Sequence, residues 1–276
     1  MDEEVTEFAS DRPDRSFDAH KSGDSSGSSG IVGRILPAAV RLWLRSQVEQ
    51  VEALSLRLEG RDRQILSGYL PGICISAEQA IYKGLHIGQL QLSANDIRIN
   101  VGQVIRGKPL RLLKGFPVLG EVGLTADDLN ASCSSALLAT GLQDFWRSLV
   151  REEAIAEAVN ARYGPLSLHP ELTLHDPRIR LADQRIGLSF YPCAQGDTAD
   201  GPVILGTGLS VLSGHQLQLT SPRWLDHLES IGDERQGQPV AALDGFQWNL
   251  GRDTQLTQLA LTPDQLLCRG QIAVNP

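Results

Sequence analysis

The chain has 276 residues, of which 41% are hydrophobic, 21% charged and 5% aromatic, with a formal net charge of −8. That length holds one large domain or two small ones, and the acidic balance excludes a general nucleic-acid binder, which needs a basic surface to neutralise phosphates. Four cysteines, Cys74, Cys133, Cys193 and Cys268, lie far apart with no C-x-x-C pair. Buried reduced thiols are expected, rather than a zinc framework or a small disulfide scaffold.

The charge is unevenly spread. Residues 1–30 hold eight acids (Asp2, Glu3, Glu4, Glu7, Asp11, Asp14, Asp18, Asp24) against three bases (Arg12, Arg15, Lys21), which accounts for −5 and leaves −3 for the rest. This segment ends in the Ser/Gly run from Ser22 to Gly30, so it is predicted to be a disordered acidic tail. Its start lacks a basic n-region and an apolar run, so no secretory signal is expected. No run reaches ~18 apolar residues, so no spanning helix is expected either. The predicted location is cytoplasmic, at most peripheral to a membrane.

Order is predicted from Ile31. Residues 31–50 read as a helix, with Arg34, Arg41 and Arg45 on one stripe and Leu36, Val40 and Trp43 among the apolar remainder. Pro37 either kinks this helix or marks its start. A basic amphipathic helix with a Trp fits a membrane interface; an ordinary core-packed helix with snorkelling arginines is the alternative that this segment by itself favours.

After Val51 the period becomes 2. Leu54, Leu56 and Leu58 alternate with polar residues, as do Leu90 to Ala94, Ile97 to Val101, Leu166 to Leu174, Ile186 to Phe190, Val203 to Val211, Leu217 to Leu219, Phe246 to Leu250, Leu259 to Leu261 and Ile272 to Val274. Alternation over so many segments predicts antiparallel sheet with one apolar and one wet face. Helices are predicted to interrupt it. Thr125-Ala126-Asp127-Asp128 approximates a capping box, and Leu137 to about Arg162 is a helix stopped by Gly164-Pro165. Two more helix starts are predicted at Thr220-Ser221-Pro222 and Thr262-Pro263-Asp264, so that Leu-Thr followed by a capped helix forms a weak internal repeat.

Chemistry-bearing motifs are sparse. Gly23-Asp24-Ser25-Ser26-Gly27 matches G-x-S-x-G but sits in the Ser/Gly linker without a flanking strand. His169, Glu171 and His175 share a strand face that reads as solvated, although such residues also bind metals. Gly206-Thr207-Gly208 lacks the third glycine of a dinucleotide fingerprint. No catalytic residue, cofactor or metal is therefore expected. The segment from Arg98 to Glu121 stands apart: between Asp96 and Glu121 there is no acid, and Arg106, Lys108, Arg111 and Lys114 interleave with Ile105, Leu110, Leu112, Leu113 and Phe116. Bases mixed with large apolar side chains can dip into an anionic membrane surface; in a core-packed hairpin the same apolar residues face inward.

Taken in order, three stretches resemble the LmeA-like family of bacterial phospholipid-binding proteins. They are the opening from Ile31 through Val51-Glu52-Ala53-Leu54-Ser55-Leu56, then Gly123-Leu124-Thr125-Ala126-Asp127-Asp128-Leu129-Asn130, and the close at Leu250-Gly251-Arg252-Asp253, Leu259-Ala260-Leu261 and Gly270 to Pro276. The resemblance covers about Ile31 to Pro276. It implies an α+β fold in which a strongly curved antiparallel β-sheet wraps around one or more helices, as in tubular lipid-binding domains. The expected organisation is a tail over 1–30 and a single lipid-binding-like domain over 31–276.

The expected function is non-enzymatic binding of a phospholipid or other acyl lipid, extending to lipid transfer or envelope maintenance. Leu36, Val40, Trp43, Ile105, Leu110, Leu112, Leu113 and Phe116 are the candidate lipid- and membrane-contacting residues. Arg106, Lys108, Arg111 and Lys114 are the candidate attractors of anionic head groups at a membrane surface. The alternatives are an adaptor docking through its acidic tail, with an unidentified protein partner, and a hydrolase whose site is not visible in sequence.

Overall fold

The computed structural model describes residues 40–275, apart from 43, 105, 110, 166–171, 195, 196, 199, 200 and 234. The predicted tail, the G-x-S-x-G match, and Leu36, Trp43, Ile105, Leu110, His169 and Glu171 lie outside the described residues. The expected antiparallel α+β architecture is present, arranged as two sheets.

The first sheet is formed by β1 (Ala53–Glu59), β2 (Tyr69–Tyr82), β3 (Leu85–Arg98) and β4 (Phe116–Thr125), joined by the last two strands, β12 (Thr254–Leu261) and β13 (Gln265–Val274). Their order is β1-β2-β3-β4-β13-β12. The second contains β5 (Thr173–Ala182), β6 (Arg185–Ala194), β8 (Val203–Leu212), β9 (Gln216–Trp224) and β10 (Gln238–Pro239). Its order is β10-β9-β8-β6-β5, with short β7 (Asp197–Thr198) on β6 and β11 (Gln247–Asn249) on β9.

Register in the first sheet stacks like with like. One row across all six strands reads Leu54, Ala77, Leu90, Val122, Cys268, Leu259, and the next reads Leu56, Ile75, Leu92, Gly120, Gly270, Leu256. The opposite face carries Ser55, Ser76, Gln91, Glu121, Arg269 and Gln258. Side chains alternate along a strand, so this register gives one apolar and one polar face. The register of β2 against β3 stays constant past Gln79, whose φ is 48°, since Glu78 pairs with Gln89 and Ala80 with Ile87.

Three helices join the sheets: α1 (Ala126–Ser132), α2 (Ala136–Val150) and α3 (Glu153–Tyr163). The predicted capping box of α1 is formed. Thr125 Oγ1 accepts from Asp128 N–H at 3.1 Å, while Asp128 Oδ2 accepts from Thr125 N–H at 2.8 Å. The helix predicted over Leu137 to about Arg162 is divided at Arg151-Glu152 into α2 and α3, and it ends at Gly164, φ 82°, as expected.

The other two predicted helix starts are corrected. Thr220-Ser221-Pro222 lies within β9, where a bulge opposite Gly206 to Gly208 removes the ladder bond that proline cannot donate. Thr262-Pro263-Asp264 is the turn between β12 and β13. Thr262 Oγ1 accepts from Gln265 N–H at 3.1 Å, the same local bond that starts α1, but the backbone reverses instead of coiling. The repeat of a capped helix after Leu-Thr therefore does not hold.

The α1 helix is the junction. Its Asn130 carboxamide pairs with the β5 backbone, accepting from Ile179 N–H at 2.9 Å and donating to Ile179 C=O at 2.7 Å. The other face of α1 meets β3, where Ser132 Oγ accepts from His86 N–H at 2.8 Å. The main core lies beyond, where Trp146, Leu149, Ile155 and Val159 of α2 and α3 pack on Phe190, Val203, Leu205 and Leu219.

Candidate functional site

The α2 helix starts at Ser135, whose hydroxyl accepts from Leu138 N–H at 3.1 Å. Two apolar stripes run along it. Trp146 and Leu149 enter the closed core, with Trp146 5.1 Å edge-on to Phe190. The stripe Leu138, Gly141, Leu142 and Phe145, at helical spacing, faces a cavity of about 180 Å³ instead. The opposite wall is the second sheet: Ile179 of β5, Ile186 and Leu188 of β6, Leu205, Thr207 and Leu209 of β8, and Leu217 and Leu219 of β9. Trp248 of β11 closes the ring, 5.4 Å edge-on to Phe145.

Thr207 is the one polar lining residue, and its hydroxyl is committed to the Gly208 carbonyl at 2.8 Å and the Thr220 carbonyl at 3.2 Å. A site with no free polar partner does not hold ordered water and takes apolar matter. None of the described lining residues has an ionisable side chain. It is smaller than the roughly 300 Å³ at which drug-sized pockets begin. Its size and lining suit part of an aliphatic chain.

The model of the LmeA-like phospholipid-binding family matches residues 28–271. The chain belongs to that family. Neither the curated proteins nor the solved structures contain a match. The apolar cavity adjoins further apolar surface. Leu138, Ile179, Ile186, Leu188 and Leu209 belong both to the cavity wall and to the cluster around Leu129, Leu181 and Leu261, against which Leu124 and Leu266 of the first sheet pack. The half-buried apolar rows of the first sheet thus run up to the cavity.

The described residues from the sequence reading lie elsewhere, and none lines the cavity. Val40 is half-buried in a helical stretch covering residues 40–42 and 44–47, where Leu42 is 72% exposed. Leu112 and Phe116 pack on a small core of Ile65, Leu70, Ala94, Ile97, Ile99 and Val101 at the end of the first sheet. Leu113, beside them, is 63% exposed. Arg106, Lys108, Arg111 and Lys114 are all exposed on this loop, and Lys114 pairs with Asp96 at 3.0 Å. His175 is an exposed β5 residue, and no three potential ligands cluster among the described residues. No helix among the described residues is long and apolar enough to cross a membrane.

Sequence reasoning missed the cavity because its walls are ordinary Leu and Ile from five elements. One signal was present: an isolated glycine, Gly141, inside the α2 pattern. A Cβ added there meets nothing within 4 Å. A larger hollow of about 590 Å³ lies over the polar face of the first sheet, around Arg57, Ser76, Ser93 and Glu121, but its walls mix charged and hydroxyl side chains with the exposed Leu119. The thiols also divide: Cys133 and Cys193 are buried as expected, whereas Cys74 is exposed on that polar face. Burial pushes the Cys133 thiol up from its ordinary value and the Cys268 thiol up to about 11.

Proposed function

We propose that the protein binds phospholipid by taking an acyl segment into the cavity between α2 and the second sheet, with the apolar rows of the first sheet extending that surface. The observation that carries this reading is that, of the thirteen described residues lining the cavity, Thr207 alone has a hydroxyl, amide or charged side chain, and that hydroxyl is already bonded to backbone. Burying a chain there gains about 0.8 kcal/mol per methylene. Beside it stands attraction of Arg106, Lys108, Arg111 and Lys114 to the anionic head groups of a membrane surface. Membrane contact by Leu36, Val40, Trp43, Ile105, Leu110, Leu112, Leu113 and Phe116 belongs to it as well. With no titratable group in the cavity, the role proposed is binding rather than catalysis. Transfer requires in addition that the chain exchange with a bilayer, which fluorescent-lipid exchange between vesicles measures.

Gly141→Leu tests the cavity directly, since the new side chain enters open space. Native mass spectrometry of gently purified protein is expected to show phospholipid on the wild type and loss of most of it from Gly141→Leu at unchanged circular dichroism. A wild type that carries no lipid, or a variant that keeps all of it, overturns the reading.

A further inference from the structure

We propose that the end of the first sheet remote from α1 docks on an anionic bilayer, and that this docking surface is built from two distant segments and is separate from the lipid-holding cavity. The second half of this statement rests on the lipid-binding reading above; the first does not.

The two segments are the β1–β2 connection, with a short helix at Asp62–Leu66, and the β3–β4 connection. Ile65 shares one buried cluster with Ile97, Ile99 and Val101. Ile99 N–H donates to the Gly68 carbonyl at 2.9 Å. Gly68 has φ +86°, and a Cβ added to it would lie 2.3 Å from the Ile99 carbonyl oxygen, so this approach needs glycine. Arg61 and Arg63 are thereby brought to the same end as Arg106, Lys108 and Arg111, all five exposed. Over residues 61–68 and 100–115 the only acid is Asp62. Leu66 is 44% and Leu113 63% exposed on this end. A hollow of about 380 Å³ lined by Arg61, Arg63, Gln64 and Ser67 opens there.

The loop is braced rather than slack. Asn100, 7% exposed, accepts from Arg111 N–H at 2.7 Å and donates to the Pro109 carbonyl at 3.0 Å and to Gln103 Oε1 at 3.2 Å. Cations on a fixed scaffold beside exposed leucines match a bilayer, where charge meets anionic head groups and leucine enters the acyl boundary. An acidic protein surface would reward the cations but not the leucines.

Distance separates this end from the cavity. Gly88 of β3 touches α1, since a Cβ added there would lie 2.6 Å from Asp128 Oδ2, and α1 holds Ile179 of the cavity wall through Asn130. From Gly88 to Arg98 the strand runs roughly 33 Å. One lipid leaflet, half of a bilayer about 40–45 Å thick, is roughly 20 Å deep. A lipid whose chain lies beside Ile179 does not place its head group among Arg61, Arg63 and Arg106. The basic end therefore meets lipids other than the one held.

The test uses the full chain with vesicles of phosphatidylcholine, with and without phosphatidylglycerol, at low salt. Wild type is expected to sediment only with the anionic vesicles. Arg61→Gln with Arg63→Gln is expected to weaken that binding by about fivefold for each charge removed. The same pair is expected to leave co-purified lipid, read by native mass spectrometry, unchanged. Gly141→Leu is expected to do the reverse. Vesicle binding unaffected by the arginine pair, no preference for anionic vesicles, or loss of vesicle binding in Gly141→Leu each overturns the proposal. Absence of lipid from every sample overturns the cavity reading and the separation built on it, while the vesicle result still decides the docking surface.

Discussion

The two sheets share antiparallel pairing and differ in what covers them. The first leaves its polar face to solvent, and even its apolar face reaches 53% exposure at Ile272. The second is covered on both sides: Val203 to Gly208 of β8 are six consecutive buried residues. Val203 and Leu205 meet α2 and α3, whereas Ile204 meets Leu225 and Ile231 behind the sheet. Gly187 and Gly206 admit that rear layer, since an added Cβ would come within 2.7 Å of Leu228 and 2.6 Å of Ile231. An apolar hollow needs a covering layer, and the cavity accordingly sits between α2 and the second sheet.

The two sheets are expected to differ most in how much stability a core truncation costs. Phe190, 1% exposed in the core of the second sheet, is expected to cost about 3–5 kcal/mol on truncation to Ala. Leu92, half-buried in the middle of the first sheet, is expected to cost about 1–2 kcal/mol, because less apolar area leaves water there. Chemical denaturation measures both, and equal losses would show that the first sheet is as fully covered as the second.

The junction comes next in size. Asn130→Ala leaves the N–H and the carbonyl of Ile179 without their side-chain partner. A loss of about 2 kcal/mol is expected from two poorly solvated backbone groups. If the sheets depend on this contact for their relation, hydrogen exchange at Ile179 rises in the variant while exchange in β2 and β3 stays slow. Uniformly faster exchange would instead make the two sheets one cooperative unit.

What was legible in the sequence follows the same division. Leu54, Leu56 and Leu58 alternate because one side of their strand is wet, and a period of two signals this. The α1 start was legible at Thr125 and Asp128 because capping is local. Thr262 makes the same bond within a turn, so the local signal alone does not fix whether a helix follows. Asn130 and the cavity were not legible: each depends on partners far along the chain, and a cavity wall of Leu and Ile has the composition of any core. The basic loop was legible as a charge run, whereas its union with Arg61 and Arg63 depends on the Gly68–Ile99 contact.

The smallest effect is absent near neutral pH and compares the two faces of one sheet. Cys74 lies in the polar hollow across the strand pair from Arg57, while Cys268 lies in the apolar row between Val122 and Leu259. Burial raises the Cys268 thiol to about 11, so folding favours its neutral form. A group whose folded pKa is raised contributes stability fully below its unfolded value. That contribution is lost as pH climbs from the ordinary thiol pKa of about 8.5 toward the folded value. Alkaline titration of the unfolding midpoint is expected to fall through that window, and to fall less steeply in Cys268→Ala, where the raised Cys133 thiol leaves part of the slope. In a thiol-reagent assay at mildly alkaline pH, Cys74, the exposed thiol, is expected to react before the half-buried Cys268, since access limits the rate. If Cys268 reacted as fast as Cys74, the apolar face would be as open as the polar one and would offer acyl chains no shelter from water.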